Sequence, residues 1–332
     1  MAMNRFRLSR ACASVALAAL LLPPAALAAS SSSAAPVAPV RIGGVQINTE
    51  SNVPVVGDFT FGPSRFTLSL APGEERTVEV QIVSRMGQEN MYVFETEDFA
   101  AGNDAKGSTT LFGPAAGPYP GRTWVKAAVP SLVLGHGQRA FVPVTIRVPA
   151  NAEPGDHYAA LLLKRTLGAD EKTDKGFDIV SRVGVLFLVS VKGPVTEDAR
   201  LVSLTSRSSL YWFFPAFFEL QAENKGTVYA APTGTIEIRN ILGLTIDEIP
   251  VKDWVVLRES SRIFPFEWRP NFALGRYTAT TNLLLFGRET ESVSVSFWMV
   301  PALPVLIGLL AVFLVSFLVQ FFFSRFEVRK RS

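Results

Sequence analysis

Cysteine and histidine are nearly missing from this 332-residue sequence, which has one of the former and two of the latter. The cysteine, Cys12, lies in an apolar N-terminal segment and does not follow the Leu-small-small pattern of a lipoprotein cleavage site. The rest of the chain therefore has no thiol chemistry and no disulfide, and its stability must come from packing alone.

Both histidines, His136 and His157, fall at predicted turns. His136 stands between two glycines, which indicates a solvated turn residue. Asp156 precedes His157, but adjacent strand residues point to opposite faces, and no further His or Cys completes a set of metal ligands. The sequence also has no Gly-x-Ser-x-Gly motif and no glycine-rich phosphate loop. We therefore expect no catalytic residue, no metal site and no cofactor.

Carboxylates are densest at Glu95, Glu97 and Asp98. Glu95 and Glu97 share a strand face about 7 Å apart, within the range of paired glycosidase acids. A solvated strand face is the simpler interpretation, and a wall-acting hydrolase requires a cleft that gathers one of them with another carboxylate. Asp98, Asn103 and Asp104 offer oxygen ligands for Ca²⁺ but lack the regular spacing of a calcium loop.

A surplus of charge is also missing once the two ends of the chain are set aside. The whole sequence has a net charge of +3. Three arginines near the N-terminus, and four basic residues with one acidic residue near the C-terminus, account for it; 25 basic and 28 acidic residues remain between them. No basic stripe is left to follow a phosphate backbone, so nucleic acid is not an expected partner.

The first 28 residues have the order of a secretory signal peptide. Arg5, Arg7 and Arg10 open it, an apolar run follows over 11–22, and a small-residue triplet follows at 26–28. The apolar run is too short to cross a hydrocarbon core about 30 Å thick. We expect cleavage after residue 28 and export of the remainder.

The stretch 299–323 contains no charged residue, is rich in Leu, Val and Phe, and is long enough for a helix to cross a membrane. We predict one transmembrane helix at 298–324 and a basic cytoplasmic tail at 325–332. The N-terminus then lies on the extracytoplasmic side, because positive residues stay in the cytoplasm. The predicted anchor ends are marked by Trp298 outside and by Arg325, Arg329, Lys330 and Arg331 inside.

Between these ends, apolar and polar residues alternate with period two, and no convincing amphipathic helix occurs. The predicted fold class is all-β: two tandem immunoglobulin-like β-sandwiches plus one C-terminal transmembrane helix. The predicted segments are a Ser/Ala/Pro-rich linker at 29–57, in which 42–47 is able to add an edge strand, a first sandwich at 58–194, and a second, membrane-proximal sandwich at 195–297.

An aromatic run, Tyr211, Trp212, Phe213 and Phe214, breaks the alternation. Packing in the core and contact with a membrane or a partner are both open interpretations. A strand cannot bury four consecutive side chains on one face, and Trp and Tyr tolerate a half-apolar interface. We therefore predict that these four residues contact the membrane surface or a partner.

The second segment resembles a bacterial surface-protein pattern in Asn224-Lys225-Gly226 and in the stretches 232–240, 257–268 and 274–279. It is similar to membrane-anchored proteins related to the WxL-interacting surface proteins. The resemblance implies tandem immunoglobulin-like domains and binding to wall polymer or partner surface proteins. The sequence has no Leu-Pro-x-Thr-Gly before the predicted helix, so covalent sorting onto the wall is not expected.

Together these patterns predict a non-catalytic, membrane-anchored extracytoplasmic binding or scaffold protein of the bacterial cell surface. Its expected partners are the membrane and either cell-wall polymer or surface proteins. The alternative is a chaperone-like or accessory subunit of a membrane complex that pairs sheet edges with its partner. Exposed strand edges after 183–191 favour the alternative, and edges blocked by charge or proline oppose it.

Overall fold

The chain folds into two β-sandwiches followed by one helix, in a computed structural model that describes residues 40–104, 106–166 and 182–325. The predicted signal peptide and three predicted anchor-end residues, Arg329, Lys330 and Arg331, lie outside these residues. The strands of the first sandwich are β1 (Val40–Ile42), β2 (Val45–Thr49), β3 (Phe59–Gly62), β4 (Arg65–Leu70), β5 (Glu75–Ser84), β6 (Asn90–Ala101), β7 (Thr109–Leu111), β8 (Val125–Ala127), β9 (Ser131–Leu134), β10 (Gln138–Arg147), β11 (Gly155–Thr166) and β12 (Arg182–Val191), with a 3-10 turn at Arg122–Trp124. Those of the second are β13 (Ala199–Ser206), β14 (Leu210–Tyr211), β15 (Ala216–Asn224), β16 (Thr233–Asn240), β17 (Thr245–Val251), β18 (Ser260–Trp268), β19 (Gly275–Leu285), β20 (Arg288–Glu289) and β21 (Ser294–Met299), and the helix α1 covers Ala302–Arg325.

Two sheets face each other in the first sandwich. One has the order β1-β2-β10-β5-β3, with β8 also on β10, and the other has the order β4-β12-β11-β6-β7, with β9 also on β6. Period-two alternation directs every second side chain of β10 inward: Ala140, Val142, Val144 and Ile146 are fully buried. Both sheets are antiparallel except where β4 runs parallel to β12.

The structure corrects the predicted linker at 29–57. β2 pairs with β10 and β1 pairs with β2, so part of the predicted linker belongs to the first sheet. The reason is local apolar alternation: Val45 is buried in the core, and Ile47 packs against it. The range 42–47, expected to add one edge strand, instead contains the turn at Gly43 and Gly44 that joins β1 to β2. β2 lies between two strands, and the edge position belongs to β1.

The second sandwich packs the sheet β13-β15-β18 against the sheet β14-β21-β19-β16-β17. Its core is aromatic. Phe218 stacks on Phe266 with ring centroids 5.1 Å apart, and it meets Phe297 edge-on at 4.9 Å. Trp268 and Tyr277 complete this cluster, with centroids 5.0 Å apart. These alternating strands confirm the predicted all-β fold with two immunoglobulin-like sandwiches and a C-terminal apolar helix.

A separate buried cluster joins the two sandwiches. Phe99, Tyr158 and Leu188 of the first sandwich pack against Val255 of the second. Arg258 is only 6% exposed, and its guanidinium carbon lies 3.9 Å from the centroid of the Tyr119 ring. Contacts of this kind fix the two sandwiches relative to each other.

Helix α1 starts at Ala302, four residues later than the predicted start at 298. Trp298 belongs to β21 because that strand continues its pairing with β19 to Met299. The segment Pro304–Arg325 is long and apolar enough to cross a membrane, and none of its most apolar stretch is buried inside the protein. At about 1.5 Å per residue its 22 residues span about 33 Å, which matches a hydrocarbon core.

Candidate functional site

A cleft of about 180 Å³ lies at the junction of the two sandwiches. Its apolar floor is formed by partly buried side chains from both domains, Leu186 of the first and Leu257 of the second, which lie over the buried cluster of the junction. Two arginines line it: Arg65 begins β4, and Arg262 belongs to β18. The cleft thus exists only because the junction brings the start of β4 to the start of β18.

Arg65 and Arg262 bring two positive charges to the cleft. Neither has an ion-pair partner within the part of the chain that the structure describes. Arg262 donates one hydrogen bond, from Nη1 to the carbonyl oxygen of Val255 at 2.7 Å. Burial, and then the charge of Arg65, lower the pKa of Arg262 below its ordinary value. Two guanidinium groups therefore give the cleft a positive potential above an apolar floor.

Gly107 supports the Arg262 guanidinium. A Cβ atom at this position would lie within 2.4 Å of Arg262 Nε, and its φ of +85° favours glycine. The backbone at Gly107 therefore lies directly against the guanidinium, and a side chain at this position would displace it. Such a site suits an anionic group attached to an apolar segment, because the cations stabilise the charge and the floor covers the segment.

An open strand edge begins at the same cleft. One side of β4 is paired with β12: the N–H of Leu186 donates to Ser64 O, and the N–H of Lys192 donates to Leu70 O. Alternation along a parallel pair then directs the N–H and C=O groups of Arg65, Thr67 and Ser69 to the other side. Within the described ranges no strand pairs with that side of β4. Neither proline nor lysine occurs in β4, so these two common means of protecting a sheet edge are missing.

Of the four aromatic residues predicted to contact the membrane or a partner, two pack against the core and two are exposed. Tyr211 is buried, with 8% of its surface exposed, and belongs to the core, which corrects the expectation that it lies on a contact surface. Its hydroxyl donates to Phe217 O at 2.8 Å and accepts from Phe217 N at 3.2 Å. Phe214 packs partly against the same core. Trp212 and Phe213 are 50% and 72% exposed and stay available for contact.

The predicted anchor ends also lie on the surface where the structure describes them. Trp298 is 49% exposed at the end of β21, and Arg325 is the last residue of α1. The Arg325 guanidinium lies 5.3 Å from the centroid of the Phe321 ring.

The histidines have structural contacts. His136 is half-buried rather than solvated, because its Nδ1 accepts from Gly87 N at 3.2 Å and its Nε2 faces Val53 O at 2.9 Å. His157 is 7% exposed and packs against Trp124, with ring centroids 4.3 Å apart and ring planes tilted by 42°. Both of its ring nitrogens face backbone carbonyl oxygens, so the ring bridges two chain segments.

The carboxylates do not form a cleft. Glu95 and Glu97 both pair with Arg182, and these ion pairs, chiefly the one with Glu97, raise the pKa of the guanidinium. Asp98 is fully buried, and its carboxylate accepts hydrogen bonds from the backbone N–H groups of three loop residues: Gly117, Gly121 and Arg122. A carboxylate filled by N–H donors orders the loop and is not oriented to bind Ca²⁺. No cluster of three metal-ligating side chains occurs in the described ranges.

Sequence reasoning missed the two cleft arginines, because nothing local distinguishes Arg65 or Arg262 from other strand arginines. It also missed a surface signal that is visible in the sequence. Ile241, Leu242 and Leu244 form an apolar hairpin tip around Gly243, where polar turn residues are usual.

No family model matches the sequence, and no curated protein matches it. Among solved structures, the chain is similar to the class 5 fimbriae chaperone CfaA, with 12% identity, coverage of 74% of this chain and 100% of that one, and a TM-score of 0.36. It is similar to the chaperone SafB from a Salmonella enterica complex with the pilin SafA, with 11% identity, 72% and 95% coverage, and a TM-score of 0.36. A PapD-like domain of human CEP192 has 11% identity, 43% and 91% coverage, and a TM-score of 0.30. These TM-scores are too low to support a function.

Proposed function

We propose that the protein is a non-catalytic, membrane-anchored binding protein that holds a partner in the cleft between its two sandwiches. The observation that carries this proposal is the Arg65–Arg262 couple above an apolar floor, which has no ion-pair partner among the residues that the structure describes. Helix α1 anchors the chain, with the sandwiches outside and the basic tail in the cytoplasm, by the positive-inside rule. The resemblance to proteins related to the WxL-interacting family supports a place on a bacterial cell surface.

A surface protein fits the cleft better than a cell-wall polymer does. The accessible part of the floor is formed by apolar side chains such as Leu186 and Leu257, which gain little from a hydrated polymer. A protein segment that carries a carboxylate next to apolar side chains satisfies both the cations and the floor. The domain junction keeps the two arginines in position before the partner arrives, which lowers the entropic cost of binding.

The test uses the full chain in lipid nanodiscs. Apolar peptides that end in a free carboxylate are compared with the same peptides ending in an amide, and wall-polymer fragments form a third set. We expect the carboxylate peptides to bind and Arg262→Gln to weaken them about tenfold, the effect of losing a charged hydrogen bond of roughly 1.5 kcal/mol. Arg76→Gln, at an exposed arginine on β5 that does not line the cleft, is the matched control. If amide and carboxylate peptides bind equally, or if the two substitutions have equal effects, the cleft arginines do not bind a carboxylate and the proposal is wrong.

A photocrosslinker at Ser261, which lines the cleft, identifies the natural partner in cells. We expect adducts with a surface protein, and we expect Arg262→Gln to remove them. The same crosslinker at exposed Glu248 is the control for random encounter. Adducts that persist in Arg262→Gln would show that the arginine does not hold the partner.

Sheet-edge pairing, in a chaperone-like or accessory subunit, is the second candidate. The edge after 183–191 does not favour it, because β4 covers β12 from Leu186 to Val191. The observation in its favour is the open side of β4, which starts at Arg65. An extended segment added there would place one end beside the cleft arginines.

Two proline substitutions separate this candidate from simple cleft binding. Thr67→Pro removes an N–H group on the open side of β4, whereas Leu68→Pro removes one that points to β12. If the edge binds the partner, Thr67→Pro weakens crosslinking at Ser261 and leaves the fold intact. Leu68→Pro destabilises the domain by about 3 kcal/mol in either case. Normal crosslinking in Thr67→Pro would exclude edge pairing.

A further inference from the structure

Exposed apolar side chains of the second sandwich gather at one end. Its eight most exposed large hydrophobic residues are between 49% and 78% exposed. We call them the apolar base: Trp212, Phe213, Ile241, Leu242, Leu244, Phe272, Leu274 and Trp298. They come from three connections and the end of one strand, which are far apart in the sequence.

Strand register places these segments together. Asn240, Tyr277 and Phe297 form one row across β16, β19 and β21. The hairpin tip 241–244 and the loop 269–274 extend beyond this row, at the end where β21 reaches Met299. In the facing sheet, Ala216 pairs with Trp268, so the connections 212–215 and 269–274 both pass between the sheets at this same end.

The apolar base is bonded directly to the start of α1. Leu210 and Tyr211 pair with Trp298 and Met299. Val300 N donates to Tyr211 O at 2.8 Å, and Ala302 N donates to Trp212 O at 3.0 Å. The aromatic connection therefore cannot move away from the first residue of the helix. The first sandwich lies at the opposite end, where Tyr229 N donates to Asp156.

The charge of this end suits a lipid headgroup region. The segments 212–215, 241–244 and 269–274 contain no acidic residue. Arg269 pairs with the exposed Glu267 at 3.5 Å, whereas Arg276 is exposed next to Trp298 and is positive, as expected for a group beside anionic phosphates. Two members of the base are tryptophans, whose rings prefer the membrane interface.

We propose that the apolar base is seated in the lipid interface of the membrane that α1 crosses, so that four separate segments, and not the helix alone, hold the second sandwich on the bilayer. This inference rests on the proposed anchoring by α1. The hairpin tip lies no more than about two strand residues, roughly 7 Å, beyond the row at Tyr277. That places Ile241 and Leu242 near the level of Met299 and the helix start. Lipid is the occupant because the helix brings the bilayer to this surface.

The experiment measures the depth of nitroxide labels in full-length protein, in nanodiscs that contain anionic lipid. Cys12→Ser removes the native cysteine, and labels are placed at Leu242→Cys, Leu284→Cys and Phe313→Cys. Leu284 is the matched control, since it is 41% exposed in the same sheet and pairs with Thr233 at the opposite end. The Phe313 label, within α1, reports whether the helix is in lipid. Collisions with oxygen indicate lipid, and collisions with a water-soluble nickel complex indicate water.

We expect the labels at 242 and 313 to favour oxygen several-fold over nickel and the label at 284 to show the reverse. A label at 242 that is as nickel-accessible as that at 284, while 313 stays in lipid, overturns the inference but leaves the anchor intact. A label at 242 shielded from both reagents means that a protein covers the tip, which also overturns it. Nickel access at 313 refutes the anchor itself.

A second variant tests whether the tip contributes to seating. Leu242→Asp changes a side chain that is 78% exposed, so the core is not disturbed. We expect a label at Phe272→Cys to lose depth in this variant, because the charged tip leaves the interface. Leu284→Asp, the matched control, should leave the depth of the label at Phe272→Cys unchanged. Equal depth in the parent and in Leu242→Asp contradicts a shared lipid-seated base.

Discussion

At the scale of single residues, the aromatic run shows how one turn separates neighbours into core and surface. Tyr211 points inward because its hydroxyl finds partners there, including Ser206 Oγ at 3.0 Å and Phe217 O at 2.8 Å. Trp212 and Phe213 follow the end of β14 and have no strand to place them on the inner face. A buried phenol is stable only when its hydroxyl is satisfied, so the Tyr211 contacts determine where the run divides.

We predict opposite effects from two aromatic substitutions. Phe218→Ser should destabilise the protein by about 3–5 kcal/mol, because Phe218 is 1% exposed and packs on Phe266 and Phe297. Trp212→Ser should change stability by no more than about 1 kcal/mol, since Trp212 is 50% exposed. Denaturant unfolding of the full chain in detergent measures both. Equal, large losses would place Trp212 in the core.

Asp156 is the buried charge with the clearest consequence for pH. It is fully buried and accepts hydrogen bonds from Tyr229 N, Ser190 Oγ and Tyr158 Oη. Burial raises the pKa of its carboxyl in spite of these donors and the nearby charge of Arg258. Because the folded pKa is raised, the contribution of Asp156 to stability is complete below the unfolded pKa of about 3.9 and declines as pH rises through the folded value.

We therefore predict that the wild type loses stability relative to Asp156→Asn as the pH rises from about 4, up to the folded pKa of this carboxyl. Asparagine retains an acceptor oxygen for Tyr229 and carries no charge to desolvate. Unfolding midpoints of both proteins over a pH series give the comparison. If the stability of the wild type instead increases relative to Asp156→Asn as the pH rises, the hydrogen bonds to the Asp156 carboxylate affect its pKa more than burial does.

At the scale of elements, the end of β21 determines where the helix begins. Strand pairing with β19 continues to Met299, and Pro301 lacks the N–H group that would extend the ladder. α1 then starts at Ala302 with its side chains exposed along most of its length. A helix that is apolar on all sides and packs on no other element of the described chain is stable when lipid surrounds it.

We predict that membrane attachment depends on α1. The full chain should stay in the membrane fraction after an alkaline carbonate wash, whereas a chain that ends after Val300 should be released. The shortened chain keeps the apolar base, so it should still bind weakly to anionic vesicles at neutral pH. Release of the full chain by carbonate would contradict a membrane-crossing helix.

At the scale of the whole molecule, the domain junction determines the position of the cleft arginines. Arg258 Nη1 donates to Asp156 O at 3.2 Å, and Arg258 N donates to Tyr158 Oη at 2.9 Å. The same guanidinium stacks on Tyr119. These contacts link two segments of the first sandwich, strand β11 and the loop at Tyr119, to one residue of the second, and a rigid junction follows from them.

We predict that Arg258→Ala loosens the junction without unfolding either sandwich. Spin labels at Lys126→Cys and Glu248→Cys, one on each domain, should give a broader distance distribution in this variant. Arg269→Ala, at the other end of the second sandwich, is the control and should leave the distribution unchanged. A narrow distribution in Arg258→Ala would show that the apolar contacts alone hold the domains.

The sequence by itself determined the elements of this protein. Alternation in β10 and β15 and the uncharged run of α1 are local patterns, and backbone geometry converts a period of two or a long apolar run directly into a strand or a helix. The aromatic run was only partly predictable, because alternation shows that four neighbours cannot share a face but not which of them turns inward.

Only the tertiary structure decided which residues form surfaces. Arg65 and Arg262 meet because the junction brings β4 and β18 together, and the apolar base forms because strand register aligns three connections at one end. Such proximity depends on contacts between segments that are distant in the chain, and those contacts leave no local period for sequence reasoning to find.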